Sequence, residues 1–260
     1  MSGGFLSVND RQIYLEARGE IDAPAVVLLH HGLGSTRSWS AQTPALEVAC
    51  WRVIAYDRRG YGKSEPRSQL SAPGFEDDIQ DLHALLAQMH LARVALVGHS
   101  DGGTIALYYA ARYPEQVACL VTVAAHIYVE TTMYPGIIGI RETFENDAHF
   151  RDGLRRLHGE KTESVFWNWY SSWVKPESLS WDMRPMLSKI VCPTLVVQGE
   201  EDEHATPQHA RDLAASIPKA ELWLVPSARH MLPQEDSELF NPRLLDFLEQ
   251  VREQECGDVQ

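Results

Sequence analysis

The segment Gly98-His99-Ser100-Asp101-Gly102-Gly103 has the spacing of a serine nucleophile raised on a tight turn. The apolar run 94–97 precedes it and the helical pattern 104–113 follows, so the turn joins a strand to a helix. Such a turn strains the backbone of its central residue, and side chains two positions to either side would collide, which accounts for glycine at 98 and 102. The serine hydroxyl then stands at a helix N-terminus, where N–H groups and the helix dipole favour developing negative charge. The chemistry implied is attack on a carbonyl carbon.

That chemistry needs an oxyanion site, a base and an acid to orient the base. The run 25–30 leads into His31-Gly32-Leu33-Gly34, and the backbone N–H groups of Leu33 and Asp101 are the expected oxyanion hole. The run 194–198 leads into Gly199-Glu200-Glu201-Asp202-Glu203. Asp202 is the expected acid by position, ahead of Thr206-Pro207, which start a helix. The other three carboxylates read as a solvated loop. The strand ending near Ala124-Ala125-His126 offers no carboxylate. The run 221–225 leads into Pro226-Ser227-Ala228-Arg229-His230, and His230, the only histidine after His209, is the expected base. A carboxylate at Asp101 is gratuitous for an oxyanion hole. It either caps the first turn of its helix or faces the substrate, where it would pair with a cationic group such as an ammonium.

Positioning these groups requires strands that end at one rim. Six runs (25–30, 52–56, 94–98, 117–123, 194–198, 221–225) show little polar alternation, the pattern of parallel strands buried on both faces. Helical patterns at 75–90, 104–113, 207–217 and 239–251 alternate with them, giving an α/β fold with a mostly parallel sheet. An opening hairpin is expected from 5–8 and 13–17 around Asn9-Asp10. From 126 to 188 no strand-like run occurs, so this segment is expected to be a helical cap between core parts 1–125 and 189–260. Phe166, Trp169, Tyr170 and Trp173 fall on one helical face. They either fill the cap's own core or, as candidate substrate-binding residues Trp169 and Trp173, line a pocket beneath it.

Composition excludes other classes. The chain has 260 residues, and 23 Lys+Arg less 36 Asp+Glu gives a net charge of −13. That balance opposes binding to nucleic acid or an anionic membrane. Cys50, Cys119, Cys192 and Cys256 are too scattered for a zinc motif and read as reduced thiols. Asn9, Asp10 and Arg11 interrupt any apolar leader, so a cytoplasmic protein is expected. No Walker motif is present, and His204 and His209 lack a third clustered ligand, so no metal and no cofactor are expected. A homo-oligomer is compatible with the sequence.

The chain resembles the α/β-hydrolase family, serine hydrolase branch, from Phe5 to Val251. The order Ser100, Asp202, His230 is that family's order, and Tyr56-Asp57-Arg58-Arg59-Gly60-Tyr61-Gly62-Lys63-Ser64 is similar to its turn after a core strand. The Ser100–Gly103 run, Tyr128-Val129 and residues 190–193 resemble its biphenyl hydrolase-like members. Arg229 departs from the pattern, which commonly has glycine before the histidine. The resemblance implies an α/β-hydrolase fold and a cofactor-free serine hydrolase of small esters. Three other readings share the fold: a lactonase, a C–C bond hydrolase of ring-cleavage dienoates, and a ligand-binding receptor. The C–C hydrolase would draw a cation from Arg141, Arg151, Arg155 or Arg184. A dehalogenase of this fold needs aspartate where Ser100 stands.

Overall fold

The computed structural model describes residues 2–257. Its strands are β1 (Ser2–Val8), β2 (Arg11–Arg18), β3 (Ala25–Leu29), β4 (Arg52–Tyr56), β5 (Val94–His99), β6 (Val117–Val123), β7 (Thr194–Gly199) and β8 (Ala220–Val225). They form one sheet in the order β1-β2-β4-β3-β5-β6-β7-β8. β2 pairs antiparallel with β1 and β4, and the remaining pairings are parallel. The expected hairpin is present: Asn9 and Asp10 have φ of 49° and 61°, as a two-residue turn with two left-handed positions requires.

The helices are α1 (Gln42–Val48), α2 (Glu76–Gln88), α3 (Asp101–Arg112), α4 (Tyr134–Asn146), α5 (Ala148–His158), α6 (Thr162–Val174), α7 (Gln208–Ser216), α8 (Leu232–Glu235) and α9 (Ser237–Gly257). α2 is shorter than its apolar pattern because Phe75 and His90, at φ 50° and 54°, bracket it in left-handed backbone. α3 begins at Asp101, directly from the turn that carries Ser100.

Alternate residues of β3 feed two cores. Val27 and Leu29 join Ile79 and Leu82 of α2 and Ile105 of α3 on one face. Val26 and Leu28 join Leu46 of α1 and Phe240, Leu244 and Leu248 of α9 on the other. Continuous apolar strands follow from this two-sided burial. β8 departs from the expectation: Glu221 and Leu222 are exposed, because β8 is an edge strand that pairs only with β7.

The sheet order places β3 between β4 and β5, where successive crossovers leave in opposite directions. In open parallel sheets the crevice at such a switch point, beyond the carboxyl ends of the strands, is where ligands bind. β3 and β5 pair with Leu29 opposite Gly98, so the loops at 30–34 and 99–101 emerge side by side. Over this rim lie α4, α5 and α6, between β6 and β7. The Tyr128–Asp182 bridge draws the two ends of this insertion together. Phe144 of α4 stacks on Phe166 of α6 at 3.7 Å, so part of the aromatic face forms the insertion's own core.

Candidate active site

Ser100 occupies the strained turn that the glycine spacing predicts. Its φ of 55° and ψ of −119° lie in a region that costs a non-glycine residue about 1–3 kcal/mol. The Ser100 N–H, donating to the Val123 carbonyl at 2.8 Å, ties the turn to β6. Close packing explains the flanking glycines: a Cβ on Gly98 would sit 2.3 Å from the Gly102 carbonyl oxygen, and one on Gly102 would sit 2.1 Å from that of Leu29.

Asp202 and His230 meet from the loops after β7 and β8. His230 Nδ1 lies 2.9 Å from Asp202 Oδ2 and 3.0 Å from Oδ1, with both side chains buried. Asp202 also accepts from Gln198 Nε2 at 2.6 Å and from the His204 N–H at 2.8 Å. Burial opposes ionisation of Asp202, but the charge and hydrogen bond of His230, with the His204 amide, outweigh it and hold the carboxyl below the usual carboxylate range. Burial likewise opposes the His230 imidazolium. The Asp202 charge and hydrogen bond, with Glu203 and Asp101 adding, outweigh it and raise the imidazole above its ordinary 6.5.

Glu203 corrects one expectation. It is not merely solvated: it accepts from the His230 N–H at 3.2 Å and pairs with Arg229 at 3.0 Å, clamping the loop that carries the histidine. Arg229 supplies half of that clamp.

Asp101 brings a second correction. Its carboxylate stands in the first turn of α3, but its hydrogen bonds run to other elements rather than capping the helix. Oδ1 accepts from Trp173 Nε1 at 3.2 Å and Oδ2 pairs with Arg58 at 3.4 Å, all fully buried. Burial raises the Asp101 carboxyl, with the Arg58 charge opposing. Arg58 also faces Asp78 at 3.6 Å, and Asp78 pairs with Arg67 at 2.8 Å, so two guanidinium groups balance two carboxylates under the turn. No spacing rule marks Arg58 for this role, since its partners come from distant elements.

Ser100, His230, Asp101 and Leu33 line one cavity of about 320 Å³ beneath the helical insertion. Its far wall is apolar, formed by Met133, Ile137, Ile140, Phe150, Leu154 and Leu157 with Trp169 and Trp173. The Trp169 indole packs so closely on the loop after β3 that a Cβ on Gly32 would sit 2.2 Å from its Nε1. The aromatic face is therefore divided, Phe166 filling the insertion's core while Trp169 and Trp173 face the cavity. His31, His126 and His204 complete the wall. Burial keeps each of them neutral, lowering His31 to about 3 and His204 to about 4. Among the described residues no group of three or more His, Cys, Asp or Glu could hold a metal ion. No helix among them is long and apolar enough to cross a membrane.

The family model for the alpha/beta hydrolase fold matches residues 24–180. The chain is 31% identical over 254 residues to serine hydrolase BPHL of Homo sapiens, the biphenyl hydrolase-like protein also known as valacyclovir hydrolase, covering 94% of this chain and 85% of that one. It is 26% identical to a 2-hydroxy-6-oxononadienedioate/2-hydroxy-6-oxononatrienedioate hydrolase of Comamonas testosteroni, covering 94% and 95% of the two chains. An esterase from Exiguobacterium antarcticum superposes with a TM-score of 0.78 over 95% of this chain and 100% of its own, at 21% identity. The family model and the curated relatives make the chain a hydrolytic enzyme, and sequence and architecture agree that it belongs to the α/β-hydrolase fold family.

Proposed function

We propose that the protein hydrolyses small carboxylic esters through an acyl-enzyme, with Ser100 as nucleophile, His230 as base and Asp202 as the acid that orients it. The observation that carries this reading is that the 2.9 Å Asp202–His230 pair serves the same cavity that Ser100 lines from its strained turn. His230 takes the proton of Ser100 as the hydroxyl oxygen attacks the ester carbonyl. The N–H groups of Leu33 and Asp101 meet the oxyanion, worth about 3–4 kcal/mol per aligned donor. Asp101 opens α3, so its N–H has no partner in a preceding helical turn. His230 then protonates the leaving alcohol, and water activated by the same imidazole cleaves the acyl-enzyme to acid and free Ser100. Asp202 fixes the imidazole tautomer and stabilises its charged form. No step calls for a cofactor.

Residues 126–188 act in this reading as a cap, with Trp169 and Trp173 as substrate-facing walls. The apolar lining supports substrates with an apolar acyl or alcohol group. The wide scatter of Cys50, Cys119, Cys192 and Cys256 along the sequence accords with a cytoplasmic setting. The test is turnover of p-nitrophenyl acetate or butyrate, with a burst of nitrophenol, falling about 10³-fold or more in Ser100→Ala. A wild-type protein inert toward short esters, thioesters and lactones would sink the reading.

The C–C hydrolase alternative needs a cation for its substrate's carboxylate. Arg141 bonds Tyr170, Arg151 bonds the Phe144 and Glu145 carbonyls, Arg155 pairs with Asp152, and Arg184 with Asp182. None of the four lines the cavity, which favours esters. Bleaching of a coloured dienoate separates the two. Aminoacyl esters form a second reading, favoured by Asp101 being the one carboxylate among the described cavity residues. Arg58 already neutralises that carboxylate in part, so an ammonium would share it, and discrimination would be smaller than for an unpaired acid.

A further inference from the structure

Two histidines outside the proposed triad hold the loop that carries Leu33. His30 ends the β3 run, and His158 is the last residue of α5. The Arg58 N–H donates to His30 Nε2 at 3.1 Å, so that imidazole carries its proton on Nδ1, which donates to the His31 carbonyl at 2.7 Å. The Gly62 N–H donates to His158 Nδ1 at 2.9 Å, so that imidazole carries its proton on Nε2, which donates to the Leu33 carbonyl at 3.0 Å. The two rings have opposite tautomers and the same function. Each bridges one backbone N–H of the turn after β4 to one carbonyl of the loop after β3.

Both rings are fully enclosed, and the Tyr61 ring lies against each, 5.2 Å from His30 and 6.0 Å from His158. Burial, opposed by the Leu33 hydrogen bond and aided by the nearby Lys161 charge, lowers His158 to about 4. It is therefore neutral at neutral pH, as accepting from Gly62 demands. Protonating Nδ1 would set two N–H groups against each other.

His30 is part of the core, but His158 comes from the helical insertion. We infer that His158 is a positioning residue through which the cap sets the oxyanion hole, aligning Leu33 only while α5 is seated. The inference rests on the ester-hydrolase reading above, because the oxyanion role of Leu33 belongs to that reading. Its physical basis is that electrostatic stabilisation of an oxyanion depends on donors fixed in advance, and a misplacement of about 1 Å costs roughly 10²-fold in rate. Substrate-sized displacement of the cap would then also switch off the chemistry, so an unseated cap leaves Ser100 inactive toward water-borne esters.

The test compares His158→Phe, which keeps a ring but neither hydrogen bond, with His158→Gln, whose amide can both accept from Gly62 and donate to Leu33. With p-nitrophenyl butyrate, Phe is expected to lower kcat about 10–100-fold with KM changed less than about threefold, and Gln to recover most of the loss. An arylboronic acid, which adds to Ser100 and presents an oxyanion, should lose affinity in the Phe variant far more than KM for the ester rises. A boronate affinity that changes no more than that KM, or a drop in melting temperature with kcat intact, would overturn the inference. So would Gln behaving no better than Phe. Nitrogen NMR of the wild-type imidazole tests the bridge itself without activity or a folded variant: a neutral ring protonated on Nε2 is expected, and protonation on Nδ1 refutes the bridge and with it the inference. Absence of ester turnover and boronate binding in the wild type would instead count against the ester-hydrolase reading, leaving the NMR result to judge the His158 bridge.

Discussion

Arg58 and Asp101 face each other at 3.4 Å with both side chains buried, immediately behind the turn that presents Ser100. Removing one partner of a buried pair leaves the other uncompensated, typically at a cost of about 3 kcal/mol or more. Asp101→Asn is therefore expected to lower the melting temperature by roughly 6–12 °C for a chain of this size. Neutral esters should be turned over within a few-fold of wild type, because the proposed oxyanion donor is the backbone N–H of residue 101, which the substitution keeps. A p-nitrophenyl aminoacyl ester should lose at least about tenfold more if the carboxylate also receives an ammonium. Equal losses on the two esters would confine Asp101 to the ionic cluster.

The pH dependence follows from the sign of the His230 shift. The proposed base must be neutral to accept the serine proton, and the Asp202 charge, working against burial, favours the protonated form. The acid limb of kcat/KM should accordingly lie above 6.5, with activity falling as pH drops through it. Asp202→Asn should move that limb downward and cut kcat by about 10⁴-fold. A limb well below 6.5 in the wild type would contradict the pairing.

Glu203 and Arg229 should separate cleanly on mutation. The Arg229–Glu203 ion pair is largely exposed, and such pairs are worth about 0–1 kcal/mol. Arg229→Ala is expected to leave kcat within about twofold. Glu203→Ala also strands the buried His230 N–H, a loss of about 1–3 kcal/mol. A larger effect from Arg229→Ala than from Glu203→Ala, in kcat or melting temperature, would rule out the clamp.

Acyl length should be read by the apolar wall. Each methylene moved from water onto it contributes about 0.8 kcal/mol, or roughly a fourfold gain in kcat/KM. A p-nitrophenyl series from acetate upward should climb at about that slope until the cavity is full. Trp169→Ala should shift the optimum to longer chains. A flat profile would mean that the acyl group does not lie against this wall.

The sequence by itself determined the strand-to-helix turn at Ser100, the loops bearing Asp202 and His230, and the six parallel strands, because each depends on local rules. Apolar runs without alternation specify two-sided burial, and glycines at 98 and 102 are required wherever backbones approach to van der Waals contact. Order along the chain also places strand ends at one rim once the connections are helical crossovers. Only the tertiary structure decided what surrounds those groups. Asp101 lies 43 positions from Arg58 and 72 from Trp173, and His158 lies 125 from Leu33. No periodicity links residues so far apart. Glu203 looked the same as its acidic neighbours until the loop after β8 was laid across it. Hydrogen bonds and ion pairs of this kind depend on distances of about 3 Å between elements, which packing fixes and spacing along the chain does not.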